Sequence, residues 1–123
     1  MADLTFLELI RQICKCPAMF TGGSVKETLA FIDGYRFGNN TPISGRNFDK
    51  FVSACNSFPS NVVWTYVITN CAKDDNDALR LIENYITEFI QLKEQMFDKE
   101  IIKYAKNKNI KEKKQNKSDN SSK

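Results

Sequence analysis

Apolar residues recur at three- and four-residue spacing in five stretches, most of them bounded by Gly or Pro, and this periodicity is what most restricts the fold. Phe6, Leu9, Ile10 and Ile13 make the first stretch, with Thr5 and Glu8 spaced as a capping box. A helix is expected from about Asp3 to Lys15, and Pro17 forbids easy continuation. Gly22-Gly23-Ser24 follows, and Ser24 to Glu27 forms a second capping box. Val25, Leu29, Ile32 and Tyr35 then share one helical face, with Phe31 beside it. Gly38-Asn39-Asn40 stops this helix, since both residue types tolerate a left-handed C-terminal position.

Pro42 and Gly45 mark a loop, and Phe48, Phe51, Val52 and Cys55 give a short third helix that ends before Pro59. Residues 62–69 are ambiguous. Val63, Trp64, Val67, Ile68 and Cys71 fit a helical period, whereas the β-branched composition favours a strand. No second convincing strand offers a pairing partner, so helix is preferred, capped by Ser60 or Asn61. Asp74-Asp75-Asn76-Asp77 is an acidic helix start. Leu79, Ile82, Ile86, Phe89, Ile90 and Phe97 carry an apolar stripe on a long helix, from about Asn76 past Glu94 with Tyr104 as its far limit. Lys93 falls in the apolar register, and oligomeric state is left open. The expected architecture is an all-α, single-domain bundle of about five helices over residues 1–106.

Residues 107–123 are mostly Lys, Asn, Ser and Gln with two acids and a single isoleucine, too polar to offset their chain entropy, and are expected to form a disordered basic tail. Charge divides at the same end of the chain. Residues 1–97 hold nine Lys/Arg against eleven Asp/Glu, a net of −2, while residues 98–123 hold nine Lys against four Asp/Glu, a net of +5. The basic pI near 8.7 therefore belongs to the C-terminal end, and the body is mildly acidic. A lysine-rich end without interleaved aromatics offers no base readout, so nucleic acid is not the expected partner and the tail reads as a solvated, solubilising end.

Histidine is absent, which excludes Ser-His-Asp and Cys-His nucleophile activation and every His-ligated metal site. The cysteines are spaced C-x-C, then 38 residues to Cys55 and 15 more to Cys71, unlike the paired C-x2–4-C of structural zinc sites. They read as small core thiols, and no metal or cofactor is expected. Gly22-Gly23-Ser24 lacks the spacing of a phosphate-binding loop. Glu27, Asp33, Arg46 and Asp49 show no spacing that demands a shared cleft, and Asp33 is placed to pair with Arg36 one helical turn on. No catalytic residue is assigned. No apolar run approaches the roughly 20 residues of a membrane span, and no basic-then-apolar leader opens the sequence, so a cytoplasmic protein with reduced thiols is expected.

Binding is the remaining class. Tyr and Trp dominate interface hot spots, and the chain offers Tyr35, Phe37, Trp64, Tyr66 and Tyr85. Exposed rings beside the acidic helix start would suit a partner-binding face, for which the candidate residues are Asp74, Asp75, Asp77, Tyr66 and Tyr85.

The run Met19-Phe20-Thr21-Gly22-Gly23-Ser24-Val25-Lys26-Glu27-Thr28-Leu29, continuing into Phe31-Ile32-Asp33-Gly34-Tyr35-Arg36, resembles small helical bacterial immunity proteins encoded beside polymorphic or contact-dependent toxins. Trp64, the acidic start and Ile86-x-x-Phe89 extend the likeness across residues 19–90. Gly34 inside a helix is its most unusual element, and a close helix approach is expected there. The resemblance implies binding rather than catalysis: members neutralise a cognate toxin protein by occluding its active site or a nearby surface. The alternative is a small nucleic-acid-associated or regulatory protein that uses the basic tail.

Overall fold

The computed structural model describes residues 2–121, with side chains over 6–110. Among the described residues there are six α-helices, one 3-10 turn and no strand: α1 Ala2–Lys15, the 3-10 turn Pro17–Met19, α2 Val25–Gly38, α3 Arg46–Cys55, α4 Trp64–Cys71, α5 Asp75–Lys93 and α6 Asp98–Ser121. The chain is therefore all-α, as its periodicity indicates, with one helix more than the expected number.

The extra helix comes from a break in the final stripe. α5 stops at Lys93, and backbone bonds from Gln95 and Met96 to Leu92 O close a tight turn without Gly or Pro. Reversing the chain here lays α6 chiefly against α3 and buries Ile101 and Ala105 completely. A continuous helix to Tyr104 would leave those two residues in solvent. The reversal puts Phe97 outside the core, 81% exposed at the turn, although the stripe places it inside.

α6 also crosses position 107, where the sequence places the start of a disordered tail. Lys, Glu and Gln are good helix formers, and the helix is tied back to the body past that boundary. Asn109 Nδ2 donates to Ala54 O at 3.3 Å and to Ser57 Oγ, and Lys108 Nζ lies 3.4 Å from Glu88 Oε1.

Local capping fixes α2 as the sequence implies. Ser24 Oγ accepts from the Glu27 N–H at 3.0 Å and donates to Glu27 Oε1 at 2.8 Å. Gly22 leaves the room this carboxylate needs, since a Cβ there would meet Glu27 Oε2 at 1.9 Å, and Gly23 turns the chain at φ +95°. The far end of α2 closes differently from the expectation. Asn39 is extended rather than left-handed, and its Nδ2 donates to Tyr35 O at 3.0 Å. α1 begins at Ala2, so Thr5 stands inside its first turns rather than at a cap, and the side chain of Thr5 lies outside the described residues.

Gly34 meets no close helix approach. It is exposed, and a Cβ added to it would find nothing within 4 Å. Gly34→Ala should therefore raise stability by up to about 1 kcal/mol, the usual cost of a mid-helix glycine. Thermal melting checks this, and a fall in the melting temperature would restore the close approach.

The core is built around aromatic rings. Phe48 meets Trp64 and Phe89 edge-on, each at 5.3 Å between centroids, and Phe51 meets Phe89 at 5.4 Å. Ile10 and Ile13 from α1, Ile32 from α2, Ile82 and Ile86 from α5 and Ile101 from α6 fill the space around them. The thiols do not all join this core. Cys14 and Cys55 are half-buried, while Cys16 and Cys71 are exposed, Cys71 because it ends α4 beyond the last inward-facing position at Ile68.

Candidate partner-binding groove

The site is held from below by a polar clasp. Arg36 projects from α2 into the interior, with its side chain only 2% exposed, and its three nitrogens face three partners. Nη2 donates to Asp49 Oδ2 at 2.7 Å and Nη1 to Ile43 O at 3.1 Å. Nε lies 2.9 Å from Asp33 Oδ1, a charge contact whose angle falls short of a hydrogen bond. Both carboxylates also bind Trp64. Asp49 Oδ1 accepts from the Trp64 backbone N–H at 2.8 Å, and Asp33 Oδ1 accepts from the indole Nε1–H at 2.9 Å.

The start of α4 is consequently capped by Asp49 of α3. Neither Ser60 nor Asn61 does it, and the N-cap residue Val63 has no side-chain acceptor. Glu27 and Arg46 take no part, so of the four charged residues weighed together in the sequence only Asp33 and Asp49 meet, with Arg36 between them. Two carboxylates bridged by a buried guanidinium form a structural joint that fixes α4 against α2 and α3.

That joint leaves an open groove of about 950 Å³ between α2, α4 and the start of α5. Val25, Leu29 and Ala30 form one wall, and Val63, Tyr66 and Thr69 the other. Lys26, Lys73, Asp74 and Asp75 stand at its rim. Val63 is 52% exposed and Tyr66 54%, and Phe58 holds the Tyr66 ring edge-on at 6.2 Å. Apolar side chains this exposed on one wall, beside charged groups, make a surface suited to docking rather than to chemistry.

The predicted residues divide. Tyr66, Asp74 and Asp75 line the groove together. Asp74 is also the N-cap of α5, its Oδ1 accepting from the Asp77 N–H at 2.8 Å. Asp77 is turned to local work: Oδ2 accepts from the Lys73 N–H at 2.9 Å and Oδ1 pairs with Arg80. The Lys73 N–H foremost, then Arg80, hold its carboxyl below the ordinary carboxylate range. Tyr85 lies elsewhere. Its hydroxyl exchanges hydrogen bonds with the Asn56 amide, its ring meets Phe51 edge-on at 6.3 Å, and burial pushes its pKa up. Tyr85 thus packs α5 against α3, away from the groove.

The sequence did not single out the α2 wall as a surface, because Val25 and Leu29 read as ordinary core positions. Their signal was present only in combination: small Ala30 beside Val25 and Leu29 opens a depression across from Val63. Among the described residues no group of three potential metal ligands forms, and no helix is long and apolar enough to cross a membrane. Burial pushes the Cys14 thiol up to about 12, helped by the nearby Glu83, which makes it a poor nucleophile at neutral pH. Compared with known proteins, the chain matches no family model, no curated protein and no solved structure.

Proposed function

We propose that this chain is an immunity protein that neutralises a cognate bacterial toxin by direct, non-catalytic binding. The observation that carries the reading is the groove, which brings exposed Tyr66 and Val63 together with Asp74 and Asp75 on a rigid base. Amphipathic rings provide anchoring area at low entropic cost, and Asp74 and Asp75 with Lys26 and Lys73 at the rim offer charges of both signs to match a partner. Residues 1–97 carry a net charge of −2, and many toxin domains are basic nucleases. The likeness of residues 19–90 to helical immunity proteins points the same way.

The test is co-expression with a toxin encoded beside this gene. Growth should be rescued by the native chain and lost with Tyr66→Ala. Asp75 is the residue to reverse, since Asp77 has a structural duty. Asp75→Lys should slow association several-fold at low salt, with the difference fading as salt shortens the screening length to about 8–10 Å. Stability, measured on the Asp75→Lys variant, should fall by no more than about 1 kcal/mol, the contribution of an acidic residue at a helix start. Rescue by both variants equal to that of the native chain would remove the groove from the binding face.

A further inference from the structure

Three described lysines of α6 share one exposed face of the helix. At 100° per residue, Lys99, Lys103 and Lys106 fall within an arc of roughly 80°, opposite the face that buries Ile101 and Ala105. Asp98 and Glu100 fall outside the arc. Lys99, Lys103 and Lys106 are exposed and make no ion pair among the described residues.

A second element widens the stripe. Lys50 of α3 joins Lys99 and Lys106 around a cleft of about 480 Å³, floored by Ala54, Phe58 and Ile102 and lacking any carboxylate in its lining. Like charges one turn apart repel within a helix, so this face gains most from a partner carrying a regular row of negative charge.

We infer that the α6–α3 lysine face is a binding surface for the phosphate backbone of nucleic acid, read by charge alone. Along the helix axis Lys99, Lys103 and Lys106 are spaced by about 6 and 4.5 Å, and with Lys50 they present four cations to a row of phosphates. It carries no Arg fork and no stacking ring within the arc, so it has the means to track a backbone and none to read bases. The surface shares no lining residue with the groove, and its test is independent of the toxin reading.

The experiment is fluorescence anisotropy of the full chain with a labelled random-sequence DNA duplex two helical turns long, titrated across a salt series. About four lysine–phosphate contacts predict a log–log salt slope near −3.6, so a fourfold rise in salt should weaken binding roughly 150-fold. The triple variant K99Q/K103Q/K106Q should reduce the magnitude of the slope by about 3, whereas Lys15→Gln on α1 should leave it unchanged. The substituted positions are exposed, and an unaltered melting temperature would show that the fold survives. Absence of binding at low salt, or an equal loss with Lys15→Gln, would overturn the assignment. Poly-glutamate of matched charge competing as well as DNA would overturn it too, in favour of an acidic protein segment.

Discussion

Arg36→Met should destabilise the protein by about 3–5 kcal/mol, the range expected when one partner of a buried ion pair is removed and the other is left uncompensated. Asp49 is the residue stranded. Its side chain is 9% exposed, and its Oδ2 has Arg36 as its ion-pair partner at 2.7 Å. Asp33 suffers less, because its side chain is 34% exposed and keeps the Trp64 indole N–H. The Ile43 carbonyl would lose its donor as well. Arg36→Lys should fall between the two, keeping the charge but not a fork that reaches three partners at once. Pairing Arg36→Met with Asp49→Asn should recover part of the loss, since the stranded charge is then gone while an acceptor for the Trp64 backbone N–H remains. Urea unfolding of the native chain, Arg36→Met, Asp49→Asn and the double variant gives the coupling. A cost below about 1 kcal/mol for Arg36→Met would show that the clasp does not fasten α4 to α2 and α3.

The clasp also marks where sequence reasoning stops. The Asp33–Arg36 spacing is local and legible, one turn apart on α2. The contact with Asp49 is thirteen residues away and exists only once α3 has packed. The same holds for α4. Its β-branched run left helix and strand both open, and its side-chain cap comes from a residue fifteen positions earlier. α2 and the start of α5, by contrast, carry their caps within three residues, Ser24 to Glu27 and Asp74 to Asp77, and both were readable. The turn at Glu94–Phe97 was not, since no Gly or Pro marks it and its driving force is the burial of Ile101 and Ala105 on a helix fifty residues earlier. Of the candidate site, Tyr66 with Asp74 and Asp75 was legible as aromatic beside acidic. Tyr85 was misplaced because its position on α5 says nothing about Asn56, whose amide engages its hydroxyl.

Phe48→Ala should cost about 3–5 kcal/mol through packing, the loss of an aromatic ring from a packed interior. Phe48 is fully buried and stands edge-on to both Trp64 and Phe89, so its ring links the base of the groove to the α5 core. Truncation removes both edge contacts and leaves a void lined by rings from α4 and α5, which side-chain relaxation alone does not refill. Phe48→Leu retains much of the volume and should cost roughly half as much. Trp64 is the only tryptophan in the chain and is itself fully buried, so its fluorescence reports unfolding directly. Chemical denaturation followed by this signal should shift the midpoint for Phe48→Ala while keeping a slope like that of the native protein. Near-ultraviolet circular dichroism should weaken in the folded state, because the indole loses the neighbour that orders it on the core side while keeping Asp33 on the groove side. A loss for Phe48→Ala no larger than that for Phe48→Leu would mean that α4 collapses inward to fill the space, and the groove between α2 and α4 would then be a pliable surface rather than a preformed one.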